Sequence, residues 1–581
     1  MISTEEPSLS YAHGASTVPL IYDTIGERLR KAAREHPDRE FVIFKKEGIR
    51  KTYKQVLDDC EKLALGLIHL GLEKDDRVGI WSPNHYEWIV TQFGAALAGL
   101  ILVNVNPMYH SEDLAYAIDM VGIKALIAPP SFKRSQYYKT LCELIPQLVE
   151  MPEGRSGLQS NEFPKLKHII IFDSEGKNHR GAWNFKDVQK LGTDDDVRRL
   201  ALRDVQPDDP ANIQYTSGTT GNPKGATLTH HNIMNNAYLV GRRAGYGDAR
   251  TIICIPNPLY HCFGCVMGSL TALMFNQTCV FPAPSFESGA ALHALHEERC
   301  TACYGTPTMY IDMLNHPDYP KLDLTSIRSG IVAGAPCPEA LCKRLVNELG
   351  MTGLQVCYGT TETSPVSFMS IVEDEPLDRI KNVGHIMDHL EAVICDEHGS
   401  CVPRGERGEL LVRGHSVMRG YWQDPEQTRL SITPDRWYHS GDIGIMHQNG
   451  TVSIVGRSKD MIVRGGENVY PTEIEQFLMR HPHVDEVHVV GVPDDRFGEA
   501  VCAWVRIKRE YAHLNVNSDH IKDFMKGKIA HYKIPKYILF KEKNEFPMTV
   551  TGKIKKYEMR EQSTWELELM GVQSHFNKLG Q

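Results

Sequence analysis

The stretch Tyr215, Thr216, Ser217, Gly218, Thr219, Thr220, Gly221, Asn222, Pro223, Lys224, Gly225 follows a short apolar run, Ile213 to Tyr215. Such a loop suits a polyphosphate. Glycines admit close backbone approach, hydroxyls and N–H groups donate hydrogen bonds, and Lys224 adds positive charge. It is not a Walker P-loop, because counting from Gly218 the positions that should read Gly, Lys, Ser/Thr read Pro223, Lys224, Gly225. The plain alternative is a surface turn, against which the ordered string of small donors argues.

On the N-terminal side of this loop, short apolar runs alternate with helical patterns. Thr24 to His36 carries Ile25, Leu29, Ala32 and Ala33 and stops at Pro37, and Thr52 with Gln55 forms a capping box ahead of Val56, Cys60, Leu63 and Leu67. Val78 to Trp81, Ile101 to Val105, Ala125 to Ala128 and His168 to Phe172 supply strands, a rhythm that predicts βαβ units on a parallel sheet. The rhythm resumes after Asp208, so two doubly wound α/β layers are expected, joined by the polar stretch from Met151 to Pro164. From Val383 to Val455 the texture changes to strand-like runs such as Glu391 to Cys395 and Glu409 to Val412, which predicts a small β-barrel-like subdomain. Beyond Arg457 an α+β pattern follows, with a helix from Pro471 to before Pro482 and strands Val487 to Val492 and Val501 to Ile507. The expected units are thus residues 1–205 and 206–380, both α/β, the β subdomain 381–457, and a smaller C-terminal domain 458–581.

The chain has 581 residues, 41% of them hydrophobic and 24% charged, the mix of an ordinary globular protein rather than a disordered or fibrous one. Its net charge of −9 offers no field to a polyanion, which disfavours nucleic acid or anionic membrane as the main partner. The apolar runs Phe93 to Val103 and Phe263 to Phe275 fall short of the ~20 residues a transmembrane helix needs, so no span is expected. Glu5 and Glu6 precede the first basic residue, Arg28, so no signal or transit peptide is read at the N-terminus; the final Leu579, Gly580, Gln581 is not a peroxisomal tripeptide. The 14 cysteines, scattered among apolar neighbours, suit a reducing compartment.

Four further motifs stand in order after the glycine-threonine loop. They are Tyr358, Gly359, Thr360, Thr361, Glu362; Tyr438 to Asp442; Gly456 to Asp460; and Pro547 to Lys553. With the loop, they resemble the signature set of the adenylate-forming superfamily, which unites acyl-CoA synthetases, luciferases and peptide-synthetase adenylation domains. Asn257 to Cys262, Tyr304 to Met309 and the run Gly456 to Pro471 resemble its medium-chain fatty acid:CoA ligases, which are mitochondrial; the alternative compartment is the cytoplasm. The resemblance implies ATP, Mg²⁺ and CoA as cofactor or co-substrates.

The chemistry explains the residue types. A carboxylate does not react with a thiol at neutral pH until it gains a better leaving group, and attack on the ATP α-phosphate supplies one as acyl-AMP. The resemblance assigns Thr216 to Lys224, with Gly334, Ala335 and Tyr358 to Thr361, to ATP, and Glu362 to its magnesium. It gives Asp442 to the ribose hydroxyls, Arg457 to the nucleotide, and Lys553 to the bridge between substrate carboxylate and α-phosphate. Thr216, Glu362 and Lys553 are the catalytic candidates. A lysine in a tail that also holds Lys541, Lys543, Lys555 and Lys556 is by default a solvated surface charge, and the preceding Thr551 and Gly552 reverse that default.

Lys459 falls where the family has its hinge, because one cleft cannot both clamp ATP and admit a long thiol. Arg464, Gly465, Gly466, Glu467 and Asn468 are the candidate CoA face, with a tight turn before the helix at Pro471 as the equal alternative. His261, Cys262 and Phe263 correspond to the acyl segment, although His261 fits a packed core histidine as well. No Asp lies between Pro258 and Thr271 to pair with an amino group, which favours an amino-free acid. The CxxC pairs Cys262/Cys265 and Cys300/Cys303 suggest zinc, but their spacing and apolar settings favour core thiols. The function expected is an ATP-dependent, medium-chain fatty acid:CoA ligase; an aryl or branched-acid ligase and a non-catalytic binder are the competitors.

Overall fold

The computed structural model describes residues 8–216, 223–247, 249–465, 467–494, 496–549 and 553–569. The capping box read at Thr52 does cap its helix, and Thr24, at the start of the other helical segment, does the same. Thr24 and Thr52 each accept from the third backbone N–H of Ile25–Glu35 and Tyr53–His69, while Glu27 and Gln55 reach back to the cap. The four apolar runs Arg77–Trp81, Ile101–Val105, Ile123–Ala128 and His168–Ile171 lie parallel in one eight-stranded sheet. Pro210–Thr216 extends it in parallel beside Ile101–Val105, and Lys224–Thr229 returns antiparallel.

The second sheet has nine strands, with Ile252–Cys254, Thr278–Phe281, Ala302–Gly305, Ser329–Val332 and Gly353–Gly359 parallel in its middle. The sheets do not follow the chain order drawn at residue 205. Glu40–Phe44 pairs with Thr278–Phe281 in the second sheet, whereas Pro210–Thr216 and Lys224–Thr229 belong to the first. Met151 to Pro164 does not join the two layers either. It links two neighbouring strands of the first sheet, Ile123–Ala128 and His168–Ile171, and is held there because Leu158 and Phe163 are buried in that sheet's core. One apolar core takes side chains from both sheets and from helices Tyr53–His69, Tyr86–Leu97 and His230–Arg243, so these helices fill the space between the sheets.

The β subdomain is an open antiparallel sheet rather than a barrel, in the order Tyr11–His13, Leu390–Cys395, Arg407–Gly414, Tyr438–Met446, Val452–Arg457. Its first strand comes from the N-terminal end of the chain, which the texture of Val383 to Val455 could not reveal. After Arg457 the chain makes a 3-10 turn, Ser458–Asp460, and enters another five-stranded sheet built on the long hairpin Val484–Asp494 and Gly498–Ile507. The cores of this last unit draw on residues 462 to 567 alone.

Phe263 to Phe275 forms a π-helix, Phe263–Leu270, that runs into the short α-helix Thr271–Met274. The Thr271 hydroxyl donates to the Val266 carbonyl five residues back at 3.3 Å, and a Cβ at Gly264 would stand 2.2 Å from the Pro258 carbonyl oxygen. Widened helical turns of this kind gather at functional sites, and this one opens at the acyl candidates.

Packing tolerances are equally tight away from the site. A Cβ on Gly66, in the helix Tyr53–His69, would lie 2.1 Å from the Val188 carbonyl oxygen, a backbone atom that cannot swing aside. Gly66→Ala is therefore expected to destabilise the protein by ~1–3 kcal/mol in urea unfolding, despite alanine's better helix propensity. An unchanged midpoint would show that this helix and the short helix Phe185–Val188 can separate at no cost.

Candidate active site

The strand Pro210–Thr216 delivers Thr216 to the carboxyl edge of the first sheet, directly opposite Lys224 in the hairpin register. Ser217, Gly218, Thr219, Thr220, Gly221 and Asn222 lie outside the described residues. Pro223, on the return side, is fixed by the Tyr116 hydroxyl, which donates to its carbonyl at 3.2 Å. The Lys224 ammonium donates to the Gln427 Oε1 at 2.5 Å and sits 5.1 Å from the ring centre of Tyr421. The Tyr421 hydroxyl in turn donates to the Glu362 Oε1 at 2.9 Å.

Glu362 stands on the 3-10 turn Thr361–Thr363, just beyond the end of the strand Gly353–Gly359, and is 8% exposed. A Cβ on Gly359 would meet the Pro365 carbonyl oxygen at 1.7 Å, so only glycine lets the chain fold back here. Gly334 and Ala335 follow the neighbouring parallel strand, Ser329–Val332, with Gly334 at φ +88°. These positions cluster at the carboxyl ends of parallel strands, where open α/β sheets bind their ligands.

Tyr358 connects this edge to the β subdomain. Its hydroxyl donates to the Asp442 Oδ2 at 2.5 Å, while the Arg457 Nε lies 3.3 Å from Oδ1. Asp442 and Arg457 are register partners on Tyr438–Met446 and Val452–Arg457, which is why residues fifteen positions apart in sequence share a carboxylate. Burial, reinforced by Asp442, pushes the Tyr358 hydroxyl well above the usual tyrosine range, so it remains a donor. Asp442 is 5% exposed with both oxygens engaged, a buried acceptor with lone pairs left for a diol.

Lys553 belongs to a turn tied to Thr549, whose N–H donates to the Lys553 carbonyl at 2.7 Å and whose Oγ1 accepts from the Lys553 N–H at 3.0 Å. Val550, Thr551 and Gly552 lie outside the described residues. The other lysines of this tail all hold carboxylates: Lys541 with Glu566, Lys543 with Asp312, Lys555 with Glu558 and Lys556 with Glu475. Lys553 has no ion pair among the described residues. Its side chain is water-accessible in an open cleft yet flanked by protein, and that burial, with Arg457 adding repulsion, lowers its pKa to about 8 against the opposing pull of Asp442 and Asp460.

The same ammonium is felt by His261. Burial first, and then Lys553, lowers the His261 pKa to about 4, so the ring is neutral at pH 7. Its Nδ1 accepts the Phe263 N–H at 3.2 Å, which places the ring proton on Nε2. Phe263 stacks on Tyr304 at 6.0 Å, and the Cys262 Sγ approaches the Thr361 Oγ1 at 3.9 Å. Beneath them the Cys265 thiol accepts from the amides of Asn104 and Gln214, at 3.6 and 3.4 Å. Cys262 and Cys265 belong to the core between the sheets, whereas Cys300 and Cys303 lie in the core on the far face of the second sheet, so the two CxxC pairs do not meet.

Two expected features stand apart from this cluster. Arg464, Gly465 and Glu467 form a hairpin of the C-terminal sheet, with Arg464 donating to the Tyr532 carbonyl at 2.6 Å and Gly465 to that of Phe497 at 2.8 Å. No hydrogen bond or ion pair of theirs reaches the nucleotide candidates among the described residues, and Gly466 lies outside these. Lys459 is exposed in the turn Ser458–Asp460, between the two sheets. Tyr421 and Gln427, which hold Lys224 and Glu362, were not read from the sequence. Their segment shows turn residues and no periodicity, and only the pairing of Gly420–Tyr421 with Lys224–Thr229 brings it to the site.

A mixed α/β body that gathers Thr216, Lys224, Tyr358 and Glu362 at the carboxyl ends of its parallel strands, with Asp442 tied to them through Tyr358, has its candidate site where open α/β sheets bind ligands. The chain belongs to the AMP-binding enzyme family: that family's model matches residues 29–422, and the model of the AMP-binding enzyme C-terminal domain matches 473–553. It is 46% identical to the mitochondrial medium-chain acyl-CoA ligase ACSF2 of Danio rerio, over 96% of this chain and 91% of that protein. It is 39% identical to the putative acyl-CoA synthetase YngI of Bacillus subtilis, over 94% of this chain and 98% of the relative. Among solved structures, ATP-bound MatB from Rhodopseudomonas palustris matches at 25% identity and a TM-score of 0.79, covering 93% of this chain and 99% of that one. No helix among the described residues is long and apolar enough to cross a membrane.

The setting of Lys553 is open to direct measurement. In the full chain with ¹³C-dimethylated lysines, one NMR resonance, identified by its loss in Lys553→Arg, should titrate near pH 8. Its coincidence with the bulk of the lysines, above about pH 10, would mean that cleft water cancels the burial.

Proposed function

We propose that this chain joins a medium-chain carboxylic acid to CoA in two ATP-dependent half-reactions. In the first, the carboxylate oxygen attacks the α-phosphorus of ATP and pyrophosphate leaves; in the second, the CoA sulfur attacks the acyl carbonyl and AMP leaves. The observation that carries this reading is the convergence of Lys553 on Asp442, Arg457 and His261, three residues from separate elements. Asp442 would accept the ribose hydroxyls, with Arg457 beside it. Thr216, Lys224 and the loop between them would take the phosphates, next to Gly334, Ala335, Gly359, Thr360 and Thr361. A lysine without a carboxylate partner is free to meet the substrate carboxylate and the α-phosphate together, where negative charge accumulates in the transition state.

Magnesium carried by ATP would neutralise phosphate charge. Glu362 fits that ion as a single buried carboxylate whose Oε2 makes no hydrogen bond among the described residues, since Mg²⁺ takes one or two carboxylates and fills its sphere with phosphate and water. The acyl chain would run past His261, Cys262 and Phe263. The ring of His261 is neutral, and the segment offers no carboxylate for an amino group, which suits an aliphatic acid. Turning about Lys459 would withdraw Lys553 and bring the hairpin of Arg464, Gly465 and Glu467 to the thiol channel. The mitochondrial location in the relative's name is part of the proposal, with cytoplasm the alternative.

ATP/pyrophosphate exchange with octanoate, followed by CoA-dependent AMP release over a panel of aliphatic, branched and aryl acids, tests the reaction and its substrate class. Absence of exchange with every acid would sink the ligase reading in favour of a non-catalytic binder. Lys553→Ala is expected to cut acyl-AMP formation by a factor of about 10² to 10³ while sparing thioester formation from supplied octanoyl-AMP. Lys459→Pro should do the reverse, slowing thioester formation more than adenylation. Equal losses in both half-reactions would remove these separate roles.

A further inference from the structure

The pairing of Lys543 with Asp312 crosses the boundary between the C-terminal unit and the N-terminal body. Asp312 lies on the helix Pro307–Leu314, and its side chain is 16% exposed. Burial raises its carboxyl pKa, against the pull of Lys543 and then Arg506, with Glu486 opposing. Those three residues all belong to the C-terminal unit, so the carboxylate faces a docked partner rather than its own domain. Arg506 is turned toward the same junction. It binds Asp485 at 2.8 Å and Glu486 at 3.0 Å, while its buried Nη1 has no hydrogen-bond partner among the described residues. Asn315, one residue past the same helix, reaches Asp485 at 3.5 Å.

Lys543 and Lys553 both belong to the C-terminal unit. Phe546, between them in sequence, is buried in that unit's core with Trp504, and Met548 and Ile554, which flank Lys553's turn, pair with each other. A rotation that carries Lys553 out of the nucleotide cleft therefore breaks the Asp312 pair and returns both charges to water. An ion pair of this kind, half desolvated, is worth little net free energy, which is the property of a latch that must open in every turnover.

We propose that Asp312 and Lys543 are positioning residues whose ion pair holds the C-terminal unit in the acyl-AMP-forming orientation and so sets the balance between the two half-reactions. This rests on the two-step reading above. Neither residue touches the reacting atoms; they act through the placement of Lys553.

The test compares Asp312→Asn, Lys543→Gln and the charge swap Asp312→Lys with Lys543→Asp. In each single variant ATP/pyrophosphate exchange should fall about three- to tenfold, with thioester formation from supplied octanoyl-AMP unchanged or faster, and the swap should restore exchange toward the parent. A merely structural role would lower both half-reactions together. A wild-type ratio of half-reaction rates in both single variants, a parallel loss of both, or a swap no better than the singles overturns the latch. Hydrogen exchange reads the same contact without activity: amides of Pro307–Leu314 and of 541–546 should exchange faster in the single variants and recover in the swap, and unchanged exchange overturns the proposal. Should the parent lack exchange activity with every acid while these amides respond as stated, the ligase reading fails and the docking contact stands.

Discussion

An ammonium group flanked by protein beside a guanidinium, with no ion pair among the described residues, is the constraint around which the rest of the molecule is arranged. Lys553 and Arg457 repel each other, and burial makes that worse. Such a contact is tolerated only if the docking of the C-terminal unit is sustained elsewhere and if the cleft is built to receive negative charge. Both conditions are visible. Lys543 and Asp312 tie the units together away from the cleft, and Asp442, shared between Arg457 and Tyr358, offsets part of the positive charge inside it. A polyanion entering this space would gain the attraction that the resident groups lack, which is how local electrostatic discomfort becomes affinity for a transition state.

The site proposed for the nucleotide is assembled from residues far apart in sequence. The first sheet contributes the hairpin ends Thr216 and Lys224, the second contributes Tyr358 to Glu362, and the β subdomain contributes Asp442 and Arg457. Tyr421 and Tyr358 join these pieces, each using one hydroxyl to fasten a carboxylate from another unit. Aromatic hydroxyls suit the task because the ring packs against the apolar body while the tip supplies one directed donor. The segment proposed for the acyl chain follows the same economy. Glycines at 264 and 268 let the π-helical turn approach Pro258 and Ile255, next to a His261 ring that burial and Lys553 keep neutral.

Interleaving also ties the layers of the body together, although each large sheet keeps a core of its own beside the one the two share. Glu40–Phe44 crosses into the second sheet and Tyr11–His13 into the β subdomain, so the first fifty residues stitch together two layers that are otherwise formed from later sequence. The C-terminal unit lacks such a strand exchange and keeps its own cores, which leaves it attached by a turn at Lys459 and by surface ion pairs. Independent packing with polar contacts at the boundary is the ordinary design for a domain that moves.

Local sequence determined what local physics controls. The capping box at Thr52, the helix from Thr24, the alternation of short apolar runs with helices, and the placement of hydroxyls, glycines and charges at strand ends were legible because each depends on neighbours a few residues away. The resemblance of the ordered motifs to the adenylate-forming signature nominated Glu362, Asp442, Arg457 and Lys553. What the sequence left open was decided by contacts between distant segments. The exchange of strands across residue 205, the open rather than closed β sheet, and the inclusion of Met151 to Pro164 within one layer all follow from long-range pairing that no window of residues records. Tyr421 and Gln427 were invisible for the same reason, and the carboxylates that occupy the four lysines around Lys553 were equally unreadable. A charge is solvated or functional according to which carboxylate lies within reach, and that distance exists only after the chain has folded.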